Sequence, residues 1–563
     1  MEDKSDSIPL EINDFKVLRE QELIYVDKTH FISSMLTSGI KNWLLLKPRK
    51  FGKTLFLSTL ENYFAGNQGF FKGLSIQDKG DFKKYPVIRL DMSILNGSID
   101  ELKEGLITLL HPISKREEII LKTDNPTYAL FGMVHDLKEK YNENVVVLID
   151  DYDRTIIDRI EDAKRITEYK VFLSDLFNAL QSVKGDLHLV LVTGLSSIGR
   201  HALRQHLPDI SDISCSLEYG QICGYTEQEL TSYFNPFLDG LLEKMVSIGF
   251  LEPNTDKDDL LKFIAKKYGG FSWDGVTRVL NPYSVNRLMH EKVPEGFWQK
   301  TMKTHFITKL IAKDPYSFIL PHYGEGVAYV IDEDDIENLT PEAVMFEAGF
   351  LTVDKIASED PANDSKVKAK KVYELKVPNE EVSSILAKGM FGALFPWLEG
   401  NKSKISFYKS RIMETLETKD AKDFADIIHS VFSKMALFDP SALFDWSLGD
   451  KTRIKCLYYA ALKKYFELLG FTESSDHPNE KECTNITIIF PDKTYAIFEL
   501  DYLSLEDGEE SHPEKLAKRI ETGAESLVED LKKNAAPKYK DIAKAVITAG
   551  IIFCGGDNVF VKF

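Results

Sequence analysis

The sequence has few cysteines and no long hydrophobic run. Its 563 residues include five cysteines, and no two of them have CxxC spacing. This disfavours a zinc site or a disulfide framework and is typical of reducing compartments. The longest apolar runs, such as Val145–Ile149, are strand-sized, whereas a membrane-spanning helix needs about 18 apolar residues. Because the polar, acidic N-terminus does not resemble a signal peptide, we expect an intracellular protein, cytoplasmic or nuclear, with no membrane partner.

Positive charge is also in deficit. The chain has 70 lysines and arginines against 88 aspartates and glutamates, which gives a formal net charge of -18. This charge removes any general electrostatic attraction to nucleic acids or anionic membranes, although a local basic site can still exist. The length exceeds what one hydrophobic core usually holds, and 43% hydrophobic residues are enough for ordinary globular cores. We therefore expect two to four domains.

A glycine is missing from the segment that most resembles a phosphate-binding loop. Residues 46–54 read LKPRKFGKT, and Lys47 stands where such loops usually have their first glycine. An apolar run, 43–46, precedes the segment and a helical pattern follows it, which is the strand–loop–helix order that phosphate binding needs. In this arrangement Lys53 would contact the β and γ phosphates of a nucleotide, and Thr54 would bind Mg²⁺. The letters GKT alone are a weak signal, because they occur by chance in many long chains.

A second apolar run ends in two acids. Residues 145–151 read VVVLIDD, roughly 100 residues after the first motif. This pattern is typical of a Walker B strand, in which Asp150 would bind Mg²⁺ and Asp151 would polarise the attacking water. The base is commonly glutamate, and aspartate is one methylene shorter, so hydrolysis is expected to be slow. Thr193, at the end of a later strand, would sense the γ-phosphate. The alternative is that each motif is an ordinary α/β turn, but their combination favours a nucleotide site.

The remaining pattern predicts the architecture. Apolar strands at 43–46, 85–91, 145–149 and 187–192 alternate with helical segments, which indicates a parallel sheet. Thr226 and Glu229 have capping-box spacing and open a mostly helical region. Strands are expected within 331–376, then helices past 470, two strands at 485–490 and 495–500, a charged helix at 513–533, and a final strand with a short tail. The predicted fold class is α/β: a P-loop NTPase parallel sheet with a helical extension, followed by a smaller α/β domain.

Several segments resemble those of the AAA-ATPase-like family. They are YVDKT at 25–29, KPRKFGKTLFLSTLENYF, LIDDYD, VTGLSS, DISCSLEYGQICGYTEQEL, GGFSWDG, LNPYSV, FEAGFLTV and YELKVPNEEV, which together cover about residues 8–390. In that family the loop typically reads RPRRFGK followed by serine or threonine, so the early glycine is absent there as well. The resemblance implies ATP and Mg²⁺ as ligands and a loop in which Pro48, Arg49 and Lys50 replace the early glycine. It adds Pro48, Arg49, Lys50, Phe51 and Gly52 to Lys53, Thr54 and Thr193 as expected nucleotide-binding residues.

Such proteins usually carry a C-terminal domain of the PD-(D/E)XK nuclease superfamily. There, an aspartate in one strand and a Glu-x-Lys in the next bind Mg²⁺ and position water. Glu499 matches the glutamate, but Asn485 stands at the aspartate position and Asp501 at the lysine position. We therefore expect a nuclease-like domain that is inactive. If the alignment is shifted, Asp476 or Glu482 would supply the missing carboxylate. The predicted domains are a P-loop AAA-ATPase-like core at 1–225, a helical or winged extension at 226–400, and the nuclease-like domain at 401–563.

Other residues allow two interpretations. Asp27 and Lys28 either border the nucleotide or cap a helix. In the cluster Arg200, His201, Arg204 and His206, an arginine could reach a neighbour's γ-phosphate, but surface charge is the expected role. Trp273 and Trp298 are expected to pack within the helical region. The charged run at 515–533 is expected to be a solvated helix face.

Three functional hypotheses follow. The first is an ATP-binding protein, with Mg²⁺-dependent ATPase activity that couples the nucleotide state to the C-terminal domain. The second is a scaffold with vestigial sites that binds nucleic acid or an unknown protein partner. The third is a metal-dependent nuclease with Glu499 as a catalytic residue.

Overall fold

The computed structural model describes most of the chain. The described residues are 7–157, 162–197, 200–301, 327–330, 341–359, 371–395, 397–398, 401–433, 455, 458–459, 461–463, 465–466, 469–473, 485–490, 492–503, 513–540, 542–554 and 558–563. The chain divides into two compact units, the first formed by residues 1–302 and 327–383 and the second by residues 303–326 and 384–563. Among the described helices, none combines the length and the apolar character that crossing a membrane requires.

A five-stranded parallel sheet forms the centre of the first unit. Its strand order is β2-β3-β4-β1-β5, and each neighbouring pair is parallel. The strands are β1 (Asn42–Leu46), β2 (Val87–Asp91), β3 (Val145–Asp150), β4 (Leu187–Gly194) and β5 (Ser211–Asp212). Every residue of β3 is buried, as expected for a strand of a parallel sheet with both faces covered. The loops after β1 and β3 leave the same edge of the sheet, because carboxyl ends of parallel strands share one edge.

Helices connect these strands and complete the core. Those before β5 are α1 (Phe15–Glu20), α2 (His30–Thr37), α3 (Lys53–Phe64), α4 (Ile99–Arg116), α5 (Pro126–Tyr141), α6 (Arg154–Ile157), α7 (Ala163–Ser182) and α8 (Arg200–His206). Local sequence sets the helix starts: Ser98 and Glu101 form a capping box for α4, and Asn125 caps α5 ahead of Pro126. Apolar residues of α4, α5 and α7 pack with the sheet in one continuous core.

The rest of the first unit is a helical segment followed by a small sheet. Its elements are α9 (Glu227–Ser247), α10 (Lys257–Tyr268), α11 (Pro282–Glu291), β6 (Val327–Val330), α12 (Pro341–Ala348), β7 (Thr352–Glu359) and β8 (Lys371–Lys376). The three helices share a separate apolar core, which Ile8 and Val26 also enter. The small sheet is antiparallel, with the order β6-β8-β7.

The second unit is built around another five-stranded sheet. Its order is β13-β12-β11-β10-β9, in which β11 and β12 are parallel and the other pairs are antiparallel. The strands are β9 (Thr472–Glu473), β10 (Asn485–Ile489), β11 (Thr494–Leu503), β12 (Ala545–Cys554) and β13 (Asn558–Lys562). Its helices among the described residues include α13 (Glu380–Leu394), α14 (Lys402–Thr418), α15 (Ala421–Phe432) and α16 (Pro513–Asp530). The first residues of α13 belong to the first unit.

The predicted α/β class with a parallel sheet is confirmed, and the four long strands of that sheet lie within two residues of their predicted limits. The capping box at Thr226 is also confirmed. The predicted short tail is wrong, because residues 558–562 form the edge strand β13, paired with β12. A five-residue segment is too short to show a clear alternation of apolar and polar residues. Its strand conformation therefore depends on the hydrogen bonds to β12 and could not be read from its own sequence. The three-domain division at 225/226 and 400/401 stays a prediction.

Candidate nucleotide-binding site

The loop between β1 and α3 (residues 47–52) turns without a glycine at its start. Its left-handed backbone positions are Lys50, with φ 67°, and Gly52, with φ 103°. Gly52 suits this conformation because it has no Cβ, whereas Lys50 adopts it at some cost in free energy. The backbone of Lys47 is not left-handed, so this position does not require a glycine.

The Lys47 side chain fills space instead. It is 1% exposed, and its Nζ donates to the Ser214 carbonyl at 2.8 Å and lies 3.8 Å from the centroid of the Trp273 ring. Burial lowers the pKa of this amine to about 8. A glycine here would remove both contacts and leave a cavity. Lys47 is therefore part of the structure that supports the loop.

Phe51 anchors the loop from its other end. Its ring makes edge contacts with three aromatic residues from beyond α10, which we call the aromatic clamp: Phe271 at 4.8 Å, Trp273 at 5.4 Å and Trp298 at 6.3 Å between ring centroids. The Trp298 indole N–H donates to the Arg49 carbonyl at 3.1 Å. Aromatic edge contacts and buried area together make such a cluster a strong packing anchor. The loop is thus held by residues more than 200 positions away in sequence.

Gly349 packs against the same loop, next to Pro48 and Trp298. It has φ 87°, and a Cβ placed on it would lie 2.6 Å from Pro48 Cγ and 2.9 Å from Trp298 Cη2. Both neighbours are rigid rings, so a side chain at this position would push them apart. The absence of a side chain at this glycine of the FEAGF segment therefore lets the segment lie close to Pro48 and Trp298.

Lys53 lies at the first turn of α3 and is directed back to the loop. Its Nζ donates to the carbonyls of Lys47 at 2.8 Å and Pro48 at 3.2 Å, and it is 4.0 Å from Asp151 Oδ1. The side chain is 5% exposed. A buried ammonium beside two carbonyls and one carboxylate is well placed to exchange these partners for phosphate oxygens.

An open cleft surrounds this lysine. It contains about 1000 Å³ of empty space and carries both signs of charge, with more cations than acids. Its lining residues are Glu11, Asn13, Arg49, Lys50, Gly52, Lys53, Thr54, Asp151, Arg154, Tyr283, Lys300 and Thr301. The surplus of positive charge, the loop and the start of a helix together suit a polyanion.

A second cavity, of about 870 Å³ of empty space, adjoins the cleft. The two share Glu11, Asn13, Lys50, Gly52 and Tyr283. The lining of the second cavity is more apolar and comes from residues 9–13, 24–26 and 222–225 together with Phe51, Leu55 and Phe56. A charged cleft that continues into a more apolar cavity matches the two halves of a nucleotide.

Asp150 ends β3 at this edge of the sheet, and Asp151 follows it. Thr193 Oγ1 donates to Asp150 Oδ1 at 2.6 Å, and the Thr54 hydroxyl is close enough to lower the pKa of Asp150 in part. Burial raises the pKa of Asp150, and the neighbouring charge of Asp151 raises it further. A cation would relieve this repulsion. The hydroxyl of Thr54 and the carboxylate of Asp150 are oxygen ligands of the kind Mg²⁺ takes, so the residues fit the predicted ion.

Asp151 stands apart from its neighbours. Its backbone is left-handed, with φ 49°, and its side chain lines the cleft near Lys53. Asp153 is fully buried and accepts hydrogen bonds from the backbone N–H groups of Leu195 and Ser196 and from the Ser196 hydroxyl. Burial raises the pKa of Asp153 to about 6. Asp153 therefore ties the end of β3 to the loop after β4, and Asp151 is the acid that faces the cleft.

The structure brings most of the predicted site residues together. Arg49, Lys50, Gly52, Lys53, Thr54 and Asp151 line the cleft. Thr193 is buried behind Asp150, while Pro48 and Phe51 face the residues that hold the loop. Asp27 does not cap α2, whose N-cap is Thr29 with no side-chain cap hydrogen bond. The Asp27 carboxylate accepts from Thr29 and Ser75, and Lys28 pairs with Glu229 at 2.6 Å and lines the second cavity, so a position bordering the nucleotide stays a prediction.

Arg200 is not the surface charge that was expected. It is 9% exposed and pairs with Asp212 at 2.7 Å. Nearby, Glu347 of α12 accepts from the Ser197 N–H at 3.0 Å. Burial raises the pKa of Glu347 to about 7, and Arg200 lowers it in part. Sequence spacing carried no signal for this network, because its members come from three distant segments.

The residues predicted for the second unit lie on one sheet. Asn485 and Glu499 are register partners on β10 and β11, and Asp501 is 3.8 Å from Lys455. Burial raises the pKa of Glu499 to about 6. Asp476 and Glu482 lie outside the described residues. Within the described part of the chain, no group of three histidines, cysteines or acids is arranged to hold a metal ion. The likeness to the nuclease superfamily stays a prediction.

Comparison with known proteins concerns the N-terminal region first. The model of a family described as "Predicted AAA-ATPase" matches residues 9–203, which contain β1 to β4 and the loops described above. Over 563 residues the chain is 24% identical to a protein of Azotobacter chroococcum mcd 1 described as "Uncharacterized protein in vnfD 5'region", across 99% of this chain and 98% of that protein.

Two solved structures share about a tenth of their residues with the chain. The Aeropyrum pernix ORC2 protein, in ADPNP–ADP complexes, is 11% identical with a TM-score of 0.26, over 69% of this chain and 99% of that one. Drosophila ORC bound to poly(dA/dT) DNA and Cdc6 is 11% identical with a TM-score of 0.22, over 81% of this chain and 69% of that one. Scores this low carry no argument, so the fold rests on the chain's own geometry.

The contact between Gly349 and the loop predicts the effect of adding one methyl group. We expect Gly349→Ala to lower the free energy of unfolding by about 1–3 kcal/mol more than Gly39→Ala does. Both glycines have positive φ, 87° and 74°, but a Cβ on Gly39 would meet nothing within 4 Å. Denaturant unfolding of the two variants measures the difference. Equal losses of stability would show that Gly349 does not press on Pro48 and Trp298.

Glu347 predicts a pH dependence. Its pKa is about 7 in the folded chain, above the roughly 4.3 of an unfolded glutamate. The folded state binds the proton more tightly, so this stabilisation is complete below about pH 4.3 and is lost as the pH rises through about 7. Glu347→Gln stays neutral, so its stability relative to the native chain should rise from pH 5 to pH 8 by on the order of 2 kcal/mol.

Denaturant unfolding at several pH values tests this, with Glu243→Gln, at an exposed position of α9, as the matched control. The free energy of unfolding of Glu243→Gln should change with pH in the same way as that of the native protein. A Glu347→Gln curve that also ran parallel would contradict the buried position of this carboxyl.

Proposed function

We propose that the first unit binds Mg²⁺·ATP and hydrolyses it slowly. The observation that carries this proposal is the meeting of Lys53, Thr54, Asp150 and Asp151 at one edge of a parallel sheet, where a charged cleft opens into a more apolar cavity. The match of residues 9–203 to a predicted AAA-ATPase family supports the same conclusion.

The phosphates would occupy the cleft and the base the second cavity. Gly52 and Lys50 lie where the two meet, so the start of α3 would face the phosphates with its free N–H groups. Lys53 would exchange the carbonyls of Lys47 and Pro48 for phosphate oxygens. Thr54 and Asp150 would hold Mg²⁺, which neutralises phosphate charge when bound.

Asp151 would orient the attacking water and accept its proton. It follows β3 directly, has a left-handed backbone and lines the cleft. Aspartate reaches one methylene less far than glutamate, so the water would be held less closely and turnover would be slow. Hydrolysis breaks the bond between the γ phosphorus and its bridging oxygen, which leaves with ADP.

The aromatic clamp connects the loop of the proposed nucleotide site to the rest of the first unit, so a change in the bound nucleotide would be felt there. Any shift of the loop on phosphate binding moves Phe51 and the Arg49 carbonyl against Trp298. The Trp298 backbone N–H in turn donates to Glu381 at 2.9 Å, in the first turn of α13, and α13 continues into the second unit. We propose that this connection couples ATP binding to the C-terminal, nuclease-like part of the chain.

Lys53→Ala tests the proposal. Removing the ammonium should weaken binding of ATP with Mg²⁺ by roughly 10- to 100-fold, because a hydrogen bond to a charged group contributes about 1.5–3 kcal/mol, and it should abolish turnover. Isothermal titration and steady-state phosphate release on the same samples measure both. Lys262→Ala, which removes an exposed lysine of α10 that lines neither cavity, is the matched control.

Three outcomes separate the hypotheses. Turnover that is lost in Lys53→Ala and unchanged in Lys262→Ala supports an ATPase. Binding without turnover in the native chain supports a nucleotide switch. Neither binding nor turnover contradicts the proposal and favours the second hypothesis, a scaffold whose loop is the remnant of a site.

A further inference from the structure

Arg154 lines the cleft, although the sequence patterns did not single it out. It opens α6 directly after the acids of β3, and its backbone N–H donates to the Asp151 carbonyl at 3.1 Å. Its side chain is half-buried and lines the same cleft as Lys53, Thr54 and Asp151. The turn that directs Asp151 toward the cleft therefore also fixes the position of Arg154.

The two cavities define which end of the cleft Arg154 occupies. The residues they share, Lys50 and Gly52 among them, mark the end nearer the base. Lys53, Asp151 and Arg154 are among the residues that line the cleft and not the second cavity. A nucleotide whose base lies in the second cavity would extend its phosphates toward these three residues, so the outermost phosphate would lie nearest to them.

Of the other cations of the cleft, Arg49 lies in the loop between β1 and α3 and not in the turn that carries Asp151, and Lys300 and Lys50 have other contacts. Lys300 pairs with Glu295 at 2.5 Å, and Lys50 lies 5.2 Å from the Tyr283 ring centroid, at the shared end. Arg200, the earlier candidate, is buried in its ion pair with Asp212 and lines neither cavity. Arg154 is the guanidinium that shares a turn of chain with the acid proposed to orient the water.

We propose that Arg154 binds the γ-phosphate of ATP within its own chain and stabilises the charge that develops during hydrolysis. This inference rests on the proposed ATP site. Water oxygen bonds to the γ phosphorus, the bond to the bridging oxygen breaks with its electron pair passing to ADP, and Asp151 takes the water proton. Arg154 donates to the γ-phosphate oxygens throughout, in the geometry that a guanidinium offers to phosphate. Each chain thus carries its own arginine and needs no neighbour to complete the site.

The test compares ATP with ADP, because ADP lacks the phosphate that Arg154 would contact. Arg154→Ala should weaken binding of a non-hydrolysable ATP analogue by at least about tenfold and binding of ADP by less than about threefold, since the lost hydrogen bonds are to a charged group. Arg154→Lys, which keeps the charge but not the planar donor geometry, should fall between the native chain and Arg154→Ala. Arg116→Ala, at an arginine of α4 that lines neither cavity, is the matched control and should change neither affinity.

Turnover supplies a second readout. The rate per chain of the native protein should stay constant on dilution, and Arg154→Ala should lower kcat more than it raises KM. Equal losses of ATP and ADP affinity, or no loss of either, would overturn the role of Arg154 even if Lys53→Ala abolishes binding. A rate per chain that falls on dilution would overturn its action within one chain. If the native protein binds neither nucleotide, the proposed ATP site fails as well, and thermal unfolding of each variant identifies any that does not fold.

Discussion

The structure depends on the insertion of one loop aromatic, Phe51, among three rings that lie far away in the chain. Ordinary phosphate-binding loops turn through glycines, and their backbone N–H groups surround the phosphates. Here the loop begins with a buried lysine and is supported from outside by Phe271, Trp273 and Trp298. The support is apolar and edge-on, so it depends on close packing and is sensitive to small displacements.

This dependence would link nucleotide binding at the proposed site to the position of distant segments. A free loop could accept phosphate without disturbing the rest of the domain. A loop pressed between its own strand and Gly349 cannot move independently of the segment that carries Gly349. The buried carboxylates Glu347 and Glu381 hold that segment and α13 in place through backbone N–H donors. Both have pKa values raised to about 7 by burial, so part of this connection is sensitive to pH near neutrality.

Much of the fold could be predicted from local pattern. Buried strands of a parallel sheet are nearly continuous apolar runs, which is why the predicted limits of β3, wholly buried, and β4, buried except at His188, are correct to within two residues. A capping box is encoded in four residues, so the start of α9 was also predictable. That Lys53, Thr54 and Asp151 lie at one cleft was predictable, because the segments that follow parallel strands leave the same edge of the sheet; their roles stay predictions.

The parts that could not be predicted depend on tertiary contacts. Trp273 and Trp298 appeared to be packing residues of a helical region, and nothing local shows that they pack on Phe51. Arg200 appeared exposed because a short cluster of basic residues usually is, yet Asp212 buries it in an ion pair. In the sequence, Lys47 was notable only because it replaces the usual glycine, and a lysine in a loop is normally solvated. Its burial depends on contacts with Ser214 and Trp273, which lie far away in the chain.

Restoring the missing glycine tests this account most directly. Lys47→Gly should lower the free energy of unfolding by about 2–4 kcal/mol, through lost packing and a lost hydrogen bond, and should weaken ATP binding as the loop loses its support. Lys47→Met, which keeps most of the side-chain volume, should retain more stability than Lys47→Gly. The measurement is denaturant unfolding of the native chain and both variants, with ATP titrations on the same samples. A Lys47→Gly chain as stable as the native protein, with undiminished affinity for ATP, would contradict the claim that the loop is held from outside.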